Sequence, residues 1–227
     1  MTDELRPLAA KRLATEVRTR KHLTTGLVGT PYLCHVLSRY GYTDEAYQLL
    51  NRKQYPSWLF PVTQGATTIW ERWDGQKPDG TFQDVGMNSF NHYAYGAIGE
   101  WMYRVMAGIE IDTAGPGYKR ILIQPKPGGG FTSVKASHQT MYGKVSSAWT
   151  LKDGKFELTV EIPANTRATI RLPKAQLANV TESGSALAIG NGITNVKQEG
   201  DTVIVDAGSG QYRFAYASGP DKNETVK

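Results

Sequence analysis

Asp153-Gly154-Lys155-Phe156-Glu157-Leu158-Thr159-Val160-Glu161-Ile162 alternates apolar and polar side chains without a break from Phe156 onward. Phe156, Leu158, Val160 and Ile162 fall on one face of an extended chain, and Glu157, Thr159 and Glu161 on the other. That is the period of a strand with one face buried. The Asp-Gly pair in front is the signal of a two-residue type I′ hairpin. Before the turn, Val145, Ser147, Trp149 and Leu151 repeat the same period. Further short strands are expected at 169–172, 202–205 and 212–216, and no helical pattern interrupts them. The segment 117–217 therefore reads as an antiparallel β-sandwich and not as a set of βαβ units.

Upstream of Gly115-Pro116-Gly117 the period changes. Leu5, Leu8, Ala9, Leu13, Ala14 and Val17 recur at three- and four-residue spacing, which predicts an amphipathic helix over 3–20 with Pro7 in its first turn. Thr30-Pro31 and Thr43-Asp44-Glu45 open two more helices, ending near Arg39 and Leu50. Asn88 is placed to cap a fourth that carries Phe90, Tyr93, Ala94, Ala97, Trp101 and Val105 on one face and stops at Gly108. Between the third and fourth, residues 55–85 are rich in proline, glycine and aromatics, and read as loops around at most a short helix. The chain is thus α+β by segregated domains: helical over 1–112, a β-sandwich over 117–217, and a polar, disordered tail over 218–227.

Composition excludes several classes. The net charge of +5 is spread singly, with 12 basic and 11 acidic residues in 1–110 and 14 and 10 in 111–227. No Lys/Arg block forms a nucleic-acid stripe. No apolar run approaches the roughly 18 residues of a membrane span, and the first residues lack a signal-peptide pattern, so a cytoplasmic location is expected if Met1 is the true start. Cys34 is the only cysteine, and its setting reads as a buried helical thiol. His22, His35, His92 and His138 are dispersed, the 79–84 stretch lacks the alternating ligands of a calcium loop, and no G-x-S-x-G is present. No metal and no cofactor are expected.

Two segments carry chemistry. In Trp70-Glu71-Arg72-Trp73 a carboxylate sits between two indoles, the combination that packs a sugar's C–H face and activates a hydroxyl or a water. A solvated Glu–Arg pair with packing aromatics is the alternative. In Asn88-Ser89-Phe90-Asn91-His92-Tyr93, two amides, a hydroxyl and an imidazole at a helix start can hydrogen-bond a polar ligand, or simply cap the helix.

At these residues the chain resembles the carboxy-terminal part of bacterial α-L-rhamnosidases, glycoside hydrolase family 78. The strings that carry the resemblance are TTGLVGTPYL (24–33), YPSW (55–58), GATTIWERWDG (65–75) and MNSFNHYAYG (87–96), with Gly117-Tyr118 and PKPGGG (125–130) at the passage into the β domain. The resemblance implies the end of an (α/α)₆ barrel, the six-hairpin glycosidase toroid, followed by a β-sandwich. It implies inverting hydrolysis of terminal α-L-rhamnosides in a rhamnose-containing glycoside, with Glu71 at the position of the general base, His92 in the sugar pocket, and Trp70 and Trp73 as its walls. Inversion needs a second carboxyl group, a general acid about 6.5–9.5 Å from the base. In the family that acid precedes the region matched here. Twelve barrel helices do not fit in 110 residues either, and about four or five are expected. Asp74, Asp79, Asp84 and Glu100 offer no marked substitute acid. The expectation is a carboxy-terminal fragment, inactive and poorly soluble alone, that depends on an upstream chain for the rest of the barrel. The alternatives are a non-catalytic carbohydrate-binding or scaffold protein, and the remnant of an interrupted gene.

Overall fold

The computed structural model describes residues 1–218, and the tail 219–227 lies outside the described residues. Ser218, counted with that tail from the sequence, is held: its N–H donates to Gly154 O at 2.7 Å. The described chain divides into two compact units, 1–101 and 102–218.

The first unit is built on α1 (Leu5–Arg20), α2 (Thr30–Arg39) and α3 (Thr43–Asn51), followed by the short α4 (Leu59–Thr63). Its core forms where their apolar stripes meet: Ala10, Ala14 and Val17 of α1, Leu33, Cys34 and Leu37 of α2, and Ala46, Tyr47 and Leu49 of α3. Arg18 of α1 reaches Glu45 of α3, with Nε to Oε1 at 2.6 Å. α1 departs from expectation at its start. Leu5 and Leu8, predicted on the buried stripe, stay exposed, because the small Ala10 and Ala14 are what lie against the other helices.

The fourth predicted helix starts late. Residues 88–93 are not helical; a 3₁₀ turn spans Ala94–Ala97, α5 covers Ile98–Trp101, and a π-helical turn runs through Met102–Met106. Asn88 is not its cap, because its amide donates instead to Gly75 O at 3.2 Å. Gly96 and Gly99 then weaken the first turns. Within the first unit Trp101 closes the core, edge-on to Tyr47 at 5.2 Å and donating through Nε1 to Ser38 Oγ at 2.9 Å.

The second unit begins with that π turn, and β1 (Ile109–Ile111) already lies in the segment expected to be helical. Gly108 makes the change of direction. Its φ is +77°, and a Cβ there would fall 2.1 Å from Pro125 N, so only glycine fits. The buried carbonyls at the end of the turn are satisfied by two side chains further along: Trp149 Nε1 donates to Met106 O and Ser147 Oγ to Ala107 O.

The remaining strands are β2 (Arg120–Ile123), β3 (Ser133–Thr140), β4 (Gly143–Lys152), β5 (Lys155–Leu172), β6 (Thr181–Glu182), β7 (Ser185–Ala186), β8 (Ile193–Glu199) and β9 (Thr202–Ala217). The strands foreseen at 156–162 and 169–172 are one long strand, β5, and those at 202–205 and 212–216 are one long strand, β9. The two pair along their length with a break between Ile162 and Arg167. On one side of the break β4 and β6 extend the sheet, and on the other β2 and β8 do so. The inner faces of both halves form a single buried cluster, from Trp149, Phe156 and Phe214 in one half to Ile121, Ile170 and Val205 in the other. The sandwich is therefore one sheet bent at Pro163–Thr166 and Gly208–Gly210. It is mostly antiparallel, but β2 runs parallel to β5, with the β3–β4 hairpin as the crossover. The Asp153-Gly154 turn has φ of 51° and 71°, as a type I′ hairpin requires.

Candidate active site

Glu71 lies in a loop between α4 and the 3₁₀ turn, and its place is fixed by an exchange with Ser89. Glu71 N–H donates to Ser89 O at 2.9 Å, and Ser89 N–H donates back to Glu71 Oε2 at 2.8 Å. Just beyond, His92 N–H donates to Ile69 O at 2.8 Å, so residues 89–92 form a strap against 69–71. The two segments singled out from the sequence are thereby brought together. The contact joins two loop segments and is not a helix N-terminus.

The carboxylate is half-buried, and Oε1 has no partner among the described residues. Arg72 does not pair with it. Its Nε lies 3.7 Å from Asp74 Oδ1, while Asp74 Oδ2 accepts from Gln83. The other acids weighed from the sequence have structural partners. Asp79 binds the N–H and hydroxyl of Thr81, which hold its pKa below the ordinary value, and Asp84 binds Gly86 N–H. Glu100 pairs with His35 at 3.1 Å.

The half-buried His92 accepts from Ala94 N–H at Nδ1, at 3.3 Å. That bond places the proton of the neutral ring on Nε2, which is then a donor. The Tyr93 ring stacks on the imidazole at 5.4 Å.

The two indoles differ. Trp70 is only 6% exposed and meets Phe90 edge-on at 5.1 Å, so it packs the loop and presents little surface to a solute. Trp73 is half-buried and has one face stacked on Tyr95 at 3.6 Å, with Trp58 edge-on at 5.6 Å. Trp58 Nε1 donates to Tyr95 O at 2.9 Å. Ser89, Tyr95 and Asn88 support the site without having been assigned those tasks from the sequence. Gly75 belongs to that support: a Cβ there would meet Asn88 Oδ1 at 2.8 Å, so any side chain at 75 would displace Asn88.

Cys34 is buried, and burial pushes its thiol up to about 12, which keeps it protonated and unreactive. Among the described residues no group of three or more His, Cys, Asp or Glu side chains is placed to hold a metal ion, and no helix is long and apolar enough to cross a membrane.

Comparison with known proteins identifies the family. The model of the bacterial α-L-rhamnosidase six-hairpin glycosidase domain matches residues 1–106, and that of the bacterial α-L-rhamnosidase C-terminal domain matches 108–186. An α-L-rhamnosidase of Streptomyces avermitilis is 43% identical over 213 residues, 93% of this chain and 20% of the relative. One of Formosa agariphila is 39% identical over 94% of this chain and 23% of its own length. The crystal structure of the Streptomyces avermitilis enzyme complexed with L-rhamnose superposes with a TM-score of 0.86 at 42% identity, covering 95% of this chain and 20% of that one. The native enzyme of Aspergillus terreus superposes at 0.80 with 35% identity, covering 100% of this chain and 22% of that one. The chain spans about a fifth of the length of these relatives. Two adjoining domain models of one family, together with relatives matched along nearly the whole chain, show that this chain belongs to the bacterial α-L-rhamnosidases.

Proposed function

We propose that this chain provides the carboxy-terminal share of an inverting α-L-rhamnosidase, with Glu71 as the general base that activates the attacking water. The observation that carries this reading is the state of the carboxylate. Ser89 N–H anchors one oxygen at 2.8 Å and leaves the other free to take a proton from water. His92, with its proton on Nε2, donates to a sugar hydroxyl, and the indole of Trp73 walls the pocket. Trp70 supports that wall from beneath.

The reaction then needs a carboxylic acid on the far side of the glycosidic oxygen, to protonate the leaving group as Glu71 receives the water's proton. Asp74, Asp79, Asp84 and Glu100 each already engage a partner within this chain, and we assign the acid to a polypeptide outside residues 1–227. Exposed Val28, Tyr32 and Tyr93 in the first unit support a complementary helical partner, since large apolar side chains in open solvent favour being covered.

The test is hydrolysis of an aryl α-L-rhamnoside. The chain alone is expected to be nearly inert, and a polypeptide carrying the remaining barrel helices to restore turnover. Glu71→Gln in the restored enzyme should lower kcat by about 10²–10⁴. Robust turnover by the chain alone, or turnover indifferent to Glu71→Gln, would overturn the assignment. L-rhamnose binding abolished by His92→Ala, with no hydrolysis in any combination, would favour a non-catalytic carbohydrate-binding protein.

A further inference from the structure

The outer face of the half-sheet formed by β2, β5, β9 and β8 carries a hollow of about 410 Å³. Its origin is a register. Arg120 of β2 lies beside Arg167 of β5, and Arg167 lies opposite Gly208 of β9. The neighbouring row, Ile121, Ala168 and Ala207, points inward and is buried. The next outward row places Thr169 opposite Asp206. The face therefore bears two guanidiniums side by side, a carboxylate one row away, and a floor at Gly208 with no side chain. Thr194 and Ser209 add hydroxyls to its rim.

The charged groups are not equivalent. Arg120 Nε is held by Asp112 Oδ2 at 3.0 Å. Both oxygens of Asp206 are engaged, by Thr169 Oγ1 at 2.6 Å and Asn195 Nδ2 at 3.0 Å. Partial burial raises the Asp206 pKa, but those hydrogen bonds and the charges of Lys197 and Arg120 outweigh it and keep the group ionised. The guanidinium of Arg167 is exposed and has no partner among the described residues. A planar fork of donors without an acceptor is suited to a carboxylate.

The surroundings narrow the ligand. Two arginines and two aspartates line the hollow, so its formal charge is zero. A compact dianion such as sulfate or phosphate would meet the aspartates as well as the arginines. A solute with one carboxylate and several hydroxyls uses both: Arg167 takes the carboxylate, and the aspartates and threonines bind hydroxyls. The volume falls within the range of small-molecule sites. We propose that this hollow binds a carboxylate-bearing saccharide unit, of the hexuronate class, with Arg167 as its anion anchor. Such a site lies wholly within the second unit and does not depend on the role given to Glu71.

The experiment is calorimetric titration of the whole chain with D-galacturonate, with D-galactose, which differs only by CH₂OH for the carboxylate at C6, and with sodium sulfate. Saturable binding is expected for galacturonate alone. Arg167→Gln should weaken it by about tenfold, the usual size of a charge-assisted hydrogen bond, with the melting curve unchanged because the side chain is exposed. Gly208→Val should fill the floor and weaken it similarly. A Cβ at 208 meets nothing nearer than Gly192 O at 3.7 Å, so the fold tolerates the change. Equal binding of galactose or of sulfate, no saturable binding of galacturonate, or full affinity in Arg167→Gln would each overturn the proposal.

Discussion

Strands β5 and β9 and the loop 64–93 hold their shape by different means. In β5 and β9 nearly every second side chain is buried, and the backbones bond to each other along most of their length. In 64–93 only Trp70 and Gly75 are buried. Order there comes from single bonds between distant residues, some from side chains (Asn88 to Gly75 O, Ser89 N–H to the Glu71 carboxylate, Thr68 to Phe90 O) and some between backbones (Glu71 N–H to Ser89 O, His92 N–H to Ile69 O). The strands derive their stability from area removed from water, which is distributed over many residues. The loop depends on a few polar contacts, so it can hold a half-buried carboxylate in one place without a hydrophobic core of its own. Changes in the strands should therefore appear as lost stability, and changes in the loop as lost activity.

The largest effect expected on stability is at Phe214. It is fully buried, faces Leu158 across the β5–β9 ladder, and stacks near Tyr212 at 6.3 Å. Phe214→Ala should destabilise the second unit by about 3–5 kcal/mol, from lost burial and the cavity left behind. Urea unfolding followed by amide exchange of the central β5–β9 strands measures it. Rhamnoside turnover in a restored enzyme, assayed well below the transition, should change little. A variant that lost turnover while its urea midpoint held would break the contrast between the two regions.

Gly75→Ala is the converse. The added methyl would sit 2.8 Å from Asn88 Oδ1 and 3.2 Å from a Phe90 ring carbon, so Asn88 must shift. That shift breaks its bond to Gly75 O and displaces the adjoining Ser89 N–H, which orients Glu71. Overpacking of this kind costs about 1–3 kcal/mol, confined here to the loop. The expected result is a loss of about tenfold in kcat with the sandwich transition unmoved. Unchanged kcat would show that the Glu71–Ser89 exchange does not govern the position of the base.

The same contrast explains what could be read from the chain. Phe156 to Ile162 and Val145 to Leu151 announce their strands because one face is buried and the period is two. α2 and α3 are legible because the buried Leu33 and Leu37 of one and Ala46, Leu49 and Leu50 of the other follow helical spacing. Periodicity does not show that β5 continues through Pro163–Thr166, because the bend interrupts the alternation that marks a strand. Nor does it show that β2 pairs parallel to β5, since register between distant strands is set by the whole sheet. At the site, Glu71 and His92 drew notice by residue type and company. Their alignment through residues 69–71 and 89–92 could not be seen, because backbone bonds between separate loops leave no mark on side-chain order. Asn88 misled for a related reason: the amide that caps helices well also anchors loops well, and here Gly75 O takes it.

The smallest effect lies at the turn from which the strands were read. A type I′ turn needs positive φ at both central residues, and Asp153 and Gly154 have 51° and 71°. Aspartate tolerates that region, whereas alanine at 154 would strain by about 1 kcal/mol. Gly154 also accepts the N–H of Ser218 at 2.7 Å, so the turn ties down the end of β9 as well as joining β4 to β5. Gly154→Ala should lower sandwich stability by about 1 kcal/mol, and Gly154→Asn by less, because asparagine enters the left-handed region more readily. Amide exchange at Ser218 should quicken in the alanine variant while the central β5–β9 amides, set by global unfolding, shift only in step with the urea midpoint. If Gly154→Ala left the midpoint and the Ser218 amide alone, the hairpin would not be held by its turn, and the ladder by itself would have to account for the register of β4 on β5.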